Sequence, residues 1–250
     1  MLTLNTWKGD GDYDARLRCL AAGLSDAQPD IVLLQEVLAD MRNVLHTGAF
    51  LAGALDMHLC FAPARFKARR VAGRQVDCYS GLAVLSPWPI DVSRIVSLSS
   101  DTRDGERVAL SARLRFGEIP LQLVNVHLTH LPDADGLRGR QMDDVLRFIE
   151  EGGNALTILG GDFNAALDSR SLRRLVRRPD VVSVWDQANA RKQVGTLNFD
   201  GEGCVDHLFH LNTAGCSARW EGVSLLFDRP DCNGEYMSDH AAVLADLYIG

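Results

Sequence analysis

The stretch Leu156-Thr157-Ile158-Leu159-Gly160-Gly161-Asp162-Phe163-Asn164-Ala165 is the most informative part of this chain. Its first four residues form an apolar run that reads as a buried strand. Asp162 and Asn164 then fall where that strand emerges into a loop. Residues i and i+2 point the same way while a strand persists, so a carboxylate and an amide would face a common cleft. A carboxylate can polarise a water or hold a hard cation, and an amide can hydrogen-bond a phosphate oxygen. Three other polar groups share the strand-end setting: Asn5, Gln35-Glu36 and Ser238-Asp239-His240.

Working outward, short apolar runs recur at 1–5, 31–35, 57–61, 81–86, 91–97, 107–115, 119–127, 155–160, 205–210, 223–227 and 241–248. Three-to-four spacing of apolar residues predicts helices over 13–26 and 136–151. Asp168-Ser169 is placed to cap a short helix over 170–177 that carries Arg170, Arg173, Arg174, Arg177 and, at its end, Arg178. Phe116-Gly117-Glu118-Ile119 reads as a hairpin turn. Many short strands with interspersed helices predict a mixed, layered α/β fold. At 250 residues, 46% hydrophobic, the chain can bury one sizeable core, and residues 1–250 are expected to form a single domain. The segment 63–79, with Arg65, Lys67, Arg69, Arg70 and Arg74, is expected to be a basic surface loop. It is either a solvated charge cluster or an anion-guiding rim on an otherwise acidic protein.

Net charge is -7. That is the wrong sign for a general nucleic-acid coat protein, whose signature is a basic surface. It leaves room for a nuclease, because metal ions supply positive charge locally. The six cysteines contain no Cys-x-x-Cys pair, so a zinc knuckle is not indicated; they read as small buried hydrophobes in a reduced compartment. The chain opens on a strand-like segment, with no signal peptide before it and no apolar run long enough to span a bilayer. The expectation is a cytoplasmic monomer.

Each polar cluster has a bland reading. Asn5 alone suits a turn or a helix cap. A polar residue such as Glu36 at a strand end is ordinary. A lone His127 within Leu121–Leu128 is more often a hydrogen-bonded core residue than a catalyst. Asp206 and His207 face opposite sides of one strand, and Asp239-His240 begins another. Their joint occurrence is harder to dismiss: two histidines, four acids and two asparagines stand at strand ends. That inventory suits hydrolysis of a phosphate ester. A hard divalent cation takes oxygen ligands, few of them from protein, and a histidine held by a carboxylate moves protons near neutral pH.

The ordered set Leu4-Asn5-Thr6-Trp7, Leu34-Gln35-Glu36-Val37, Tyr79-Ser80-Gly81-Leu82, Asn125-Val126-His127-Leu128, Gly160-Gly161-Asp162-Phe163-Asn164, Val205-Asp206-His207-Leu208-Phe209 and Ser238-Asp239-His240 resembles the endonuclease/exonuclease/phosphatase superfamily. That superfamily includes pancreatic-type DNases, abasic-site endonucleases, neutral sphingomyelinases and inositol polyphosphate 5-phosphatases. The resemblance runs over nearly the whole chain, in order. It implies a four-layered α/β sandwich of the DNase I type, in which two mixed sheets pack face to face with helices outside. It implies Glu36 as principal metal ligand, with Asn5 and Asp239 nearby. Asp162 and Asn164 would orient or activate water and contact phosphate. His240 would bind phosphate or act as base, paired to Asp206. His127 would protonate the leaving group or stabilise the phosphorane, and Arg107 would contact phosphate. Asp77 is a candidate partner for His127. Trp7 stands where abasic-site enzymes carry an acid, a pattern closer to the sphingomyelinases. The Cys-Asp-Arg segment of the inositol phosphatases is absent.

The expected activity is therefore magnesium-dependent hydrolysis of a phosphodiester, with manganese as an alternative ion and nucleic acid among the candidate substrates. The competing readings are a phospholipid phosphodiesterase, a phosphomonoesterase, and a binding protein that keeps the fold. The last would show a lost ligand or histidine, and none is lost.

Overall fold

The computed structural model describes residues 1–42, 44–153, 155–187, 195–199, 203–213 and 216–250. The elements are β1 (Leu2–Asn5), α1 (Tyr13–Ala27), β2 (Val32–Asp40), α2 (Thr47–Leu55), β3 (His58–Val71), β4 (Arg74–Ser86), β5 (Val92–Ser97), β6 (Val108–Phe116) and β7 (Ile119–His127). They continue with α3 (Asp135–Glu150), β8 (Leu156–Asp162), α4 (Arg173–Val176), β9 (Val181–Ser183), α5 (Val184–Gln187), β10 (Asp206–Leu211), β11 (Ala218–Leu226) and β12 (Ala242–Ile249). Two six-stranded sheets result, in the orders β11-β12-β1-β2-β4-β3 and β5-β6-β7-β8-β10-β9. Each is mixed: β1 runs parallel to β2 and β7 parallel to β8, while the other pairs are antiparallel.

The apolar runs are continuous because the inner strands are covered on both faces. In β2, Leu33 packs into the core shared by the two sheets, while Val32 and Leu34 pack outward with Leu17, Leu20 and Leu24 of α1. On the second sheet the outer cover is α3, whose Met142, Val145 and Ile149 are buried. The layers are thus helix, sheet, sheet, helix, the expected sandwich.

Asn125 on β7 reaches across between the sheets. β2 carries a bulge: Leu34 pairs with Ala83, but the next pair is Val37 with Gly81. An extra residue breaks the ladder locally. The Asn125 Nδ2 group donates to the carbonyls of Leu34 at 2.8 Å and Ala83 at 2.9 Å, the last register pair before that break. Its Oδ1 accepts from Gln35 Nε2 at 2.8 Å. Asn125 and Gln35 are both fully buried, so this staple satisfies polar groups that water cannot reach.

Several expectations need correction. The basic segment 63–79 is not a loop but most of the β3–β4 hairpin, in which Val71 pairs with Arg74. Its two-residue turn, Ala72-Gly73, has positive φ at both positions, 46° and 76°. That geometry suits a twisted hairpin, and an alanine there hides it, since Asn-Gly or Asp-Gly would be the usual signal. The 170–177 helix shrinks to the single turn of α4, with no side-chain cap at its start. Its neighbourhood is charge-paired: Arg174 lies 2.7 Å from Asp143, and Arg178 bridges Glu150 and Asp180. Glu36 does not end a strand; it sits in the middle of β2, at the bulge. The short elements α2, β9 and α5 lie where no pattern predicted them. All six cysteines are free thiols. Among the described residues no helix is long and apolar enough to cross a membrane.

Candidate active site

Three adjacent strands deliver the first row of the site. His127 on β7 is the register partner of Asp162 on β8, and Asp162 is the register partner of Asp206 on β10. The three residues stand side by side at one end of the second sheet, all buried. The first sheet supplies Asn5 from the end of β1 and Glu36 from the β2 bulge. The turn before β12 supplies Asp239 and His240. All of these except Asp206, which lies behind His240, line a cleft of about 450 Å³ that also takes in Lys8, Arg107 and His130.

The local backbone explains why Gly160-Gly161 precedes Asp162. Gly161 has φ +143°, and a Cβ there would sit 2.0 Å from the Val126 carbonyl oxygen. A Cβ on Gly160 would press into Leu208 and Leu33. β8 can therefore lie flush against its neighbours only with glycine at these positions. Beyond Asp162 the strand stops. Asn164 reaches the cleft because it adopts φ +48°, not because an extended strand carries it there. Its backbone N–H donates to Asp162 Oδ1 at 2.9 Å, and its amide donates to the Leu128 carbonyl. Trp7, Lys8 and Glu36 also have positive φ. Such conformations cost energy and concentrate at functional sites.

Asp162 Oδ2 is the hub. It accepts from Asn5 Nδ2 at 3.0 Å and lies 3.3 Å from His127 Nε2 and 3.8 Å from His240 Nε2. His240 Nδ1 is 2.8 Å from Asp206 Oδ2. Burial disfavours charge on His240, but the carboxylates of Asp206 and Asp162 outweigh it and raise its pKa. Burial raises the Asp162 carboxyl, opposed by His240 and reinforced by Asp206. His127 is held well below the ordinary histidine range by burial, with the nearby charges of Arg107 and Lys8 acting in the same sense. The site thus contains a protonated imidazole, a neutral one, and a carboxyl group between them.

Asp77 does not partner His127. Its side chain is exposed on β4, and the carboxylate beside His127 is Asp162. His207, as its strand position predicts, faces away from the cleft. It accepts from Trp185 Nε1 at 3.1 Å and contacts the Ala165 carbonyl at 2.8 Å.

Two groups of acids could hold a cation. Asp162, Asp206 and His240 offer atoms within 4.8 Å of one another. That trio is buried and already bonded internally through His240, whereas a hard ion such as magnesium keeps several waters and needs an open site. Glu36 and Asp239 fit better. Burial raises the Asp239 carboxyl, opposed by His240, and the charge of Glu36 raises it further, so the two acids feel each other. A cation already stands there: Lys8 Nζ is 2.6 Å from Glu36 Oε1. Asn5 lines the same cleft, and its Oδ1, which accepts from the Trp7 N–H, has capacity for a second partner.

Lys8, Asp104 and His130 were missed by sequence reasoning. Asp104 is 1% exposed and receives a two-pronged contact from Arg107, at 2.7 and 2.9 Å, with His130 Nδ1 at 3.0 Å. In sequence it is one more turn residue in Thr102-Arg103-Asp104-Gly105. No local signal marks it, because its burial comes from strands far away in the chain.

The family model for Endonuclease/Exonuclease/phosphatase matches residues 2–240. The chain belongs to that family. Its members are metal-dependent hydrolases acting on phosphate esters, so this family member is a phosphoesterase. No curated protein matches the chain in sequence. Solved structures match its fold. D. rerio TDP2 complexed with a single-strand DNA product superposes with a TM-score of 0.78 at 17% identity, covering 99% of this chain and 98% of that one. A family protein from Leptotrichia buccalis gives 0.75 at 16%, covering 99% and 98%. One from Beutenbergia cavernae gives 0.78 at 19%, covering 100% and 71%.

Proposed function

We propose that this phosphoesterase hydrolyses a phosphodiester by in-line attack of water, with magnesium at Glu36 and Asp239 assisted by Asn5. The observation that carries this reading is the convergence of Asn5, His127 and His240 on one oxygen of Asp162. A bound magnesium ion, or manganese in its place, would supply Lewis-acid stabilisation of charge on the phosphoryl oxygens and on the departing oxygen, which takes its proton from solvent. Asp162, its carboxyl raised by burial, accepts the proton of the attacking water. Asn5 and the Asn164 N–H hold that carboxylate in place. His240, kept protonated by Asp206, offers a charged N–H to the phosphate. His127, kept neutral, has a single N–H; on the Nε2 that faces Asp162 at 3.3 Å, it shifts to the pentavalent phosphorane as substrate enters, which suits it better than service as an acid. Arg107 and the Asn164 amide complete the phosphate contacts.

A nucleic-acid strand is the first candidate substrate. The zebrafish TDP2 structure of the same fold holds a single-strand DNA product. Six free thiols support a reducing, cytoplasmic setting.

The test is hydrolysis of bis(p-nitrophenyl) phosphate and of a single-stranded oligonucleotide, with magnesium and with EDTA. Metal-dependent release from either substrate is expected, and Asp162→Asn should lower kcat about 10²- to 10⁴-fold with the fold intact. Undiminished turnover in that variant would remove Asp162 from the mechanism.

A further inference from the structure

One wall of the cleft carries more positive charge than a single phosphodiester monoanion requires. Arg65 and Arg69 of β3 both line it, alongside Arg107 and His130. Three guanidiniums line it against one lining carboxylate, Glu106, and one buried behind, Asp104, in a protein whose net charge is -7.

The wall is also built. Asp104 is buried behind it, and its Oδ1 gathers Arg107 Nη2 at 2.7 Å, His130 Nδ1 at 3.0 Å and Arg65 Nη1 at 4.0 Å. One carboxylate can neutralise only one of these groups. Gly105 has φ +85° and leaves room for the Arg65 side chain, whose Nε would lie 3.3 Å from a Cβ at that position. Thr129 and Leu131 beside His130 are pinned by Arg138 of α3, which donates to both carbonyls, and Gln141 accepts from the Thr129 N–H. Arg69 forms no ion pair among the described residues, and its Nε is buried without a hydrogen-bond partner. Arg65 and Arg69 are four residues apart on one strand, about 13 Å along it. They mark out a strip beside the catalytic groups rather than a single point.

We propose that Arg65, Arg69 and His130, sharing Arg107 with the scissile phosphate, form a second anion subsite, which takes a further phosphate of the same substrate next to the one being hydrolysed. The inference rests on the reading that the scissile phosphate sits between Asp162 and His240. It selects a polyanionic phosphate ester. A phosphocholine ester brings a quaternary ammonium group instead, and this wall is the wrong charge for it. The second phosphate could belong to a nucleic-acid strand or to a small ester bearing an additional phosphate, since guanidinium recognises either in the same way.

Two substrates that differ by one phosphate read the subsite directly: thymidine 5′-(p-nitrophenyl phosphate), with and without a 3′-phosphate. The wild-type protein should favour the 3′-phosphorylated compound by about tenfold or more in kcat/KM. In the double variant Arg65→Gln/Arg69→Gln that preference should fall toward one. An equal preference in both proteins overturns the proposal, as does a wild type that favours neither substrate. A second measurement does not depend on turnover. Pyrophosphate binding to the whole protein in EDTA, followed by calorimetry, should weaken about tenfold in the double variant. If neither ester is hydrolysed at all, the proposed function fails, and the pyrophosphate measurement alone decides the subsite: unchanged affinity overturns it. Competition by oligothymidylate against thymidine 3′,5′-bisphosphate then separates the sources. Tighter binding of the strand assigns the subsite to nucleic acid, and equal binding assigns it to a small ester. A competitor that acts equally on wild type and double variant counts against it.

Discussion

Asp162 and Asp206 stand directly opposite one another in the antiparallel ladder of β8 and β10, with both carboxylates buried. Like charges in that relation repel. His240 offsets the repulsion, with Nδ1 at 2.8 Å from Asp206 and Nε2 at 3.8 Å from Asp162. The arrangement sets the protonation of the whole site and leads to the first prediction.

Asp206→Asn removes the charge that keeps His240 protonated. In the wild type the His240 ring, pushed up to about 10, should stay charged through neutral pH. In the variant its titration should drop toward the ordinary histidine range near pH 6.5. NMR titration of the ring reads this, and an unchanged titration would show that Asp206 does not set the charge. Activity at neutral pH should fall about 10²-fold or more as the phosphate loses a charged donor.

Glu36→Gln should raise the magnesium concentration needed for half-maximal activity about tenfold or more, because the site loses an ionised oxygen ligand. EDTA should abolish activity and added magnesium restore it. A metal requirement unaltered in Glu36→Gln would move the cation elsewhere, with the Asp162, Asp206 and His240 trio next to examine.

Asn125→Leu keeps the side chain's size but strips hydrogen bonds from the carbonyls of Leu34 and Ala83 and from the Gln35 amide. Leaving buried polar groups unpaired should cost about 2–4 kcal/mol of stability. Urea denaturation measures it. A loss below about 1 kcal/mol would mean that the bulge can relax to pair those groups by another route.

His207 gives an acid-sensitive limb to stability. Burial lowers its pKa to about 4, whereas the unfolded chain has an ordinary histidine near 6.5. Between those values the unfolded state binds the extra proton and the folded state does not. The stabilisation is therefore fully present above about pH 6.5 and is lost as pH falls toward 4, by about 3 kcal/mol. Denaturation midpoints measured from pH 7 to 4 in wild type and His207→Phe should show this limb diminished in the variant. Parallel profiles would assign the limb to other groups.

Much of the fold is legible along the chain. The predicted segment Ile119–His127 is a strand with the expected ends, and the helices over 13–26 and 136–151 fall within a residue of their observed bounds. These elements announce themselves because runs covered on both faces must be apolar throughout, and a one-sided helix must repeat every three to four residues. Of the β3–β4 hairpin only the base was legible, as the runs 57–61 and 81–86; its tip was not, because the strands there carry arginines and other polar residues and the turn is Ala72-Gly73. The single turns α4 and α5 are too short to carry a period.

The candidate site divides along the same physical line. The sequence by itself determined which residues are available: acids, asparagines and histidines at the ends of apolar runs, and two glycines without which β8 could not lie flush against β7, β10 and the facing sheet. Only the tertiary structure decided that β7, β8 and β10 are neighbours, in a register that lines up His127, Asp162 and Asp206. It also decided that a bulge turns Glu36 into the cleft, and that Asp104 lies buried behind an arginine wall. Strand order and register come from packing between segments remote in the chain. Local propensity can mark a strand's end, but not which other strand ends will meet it.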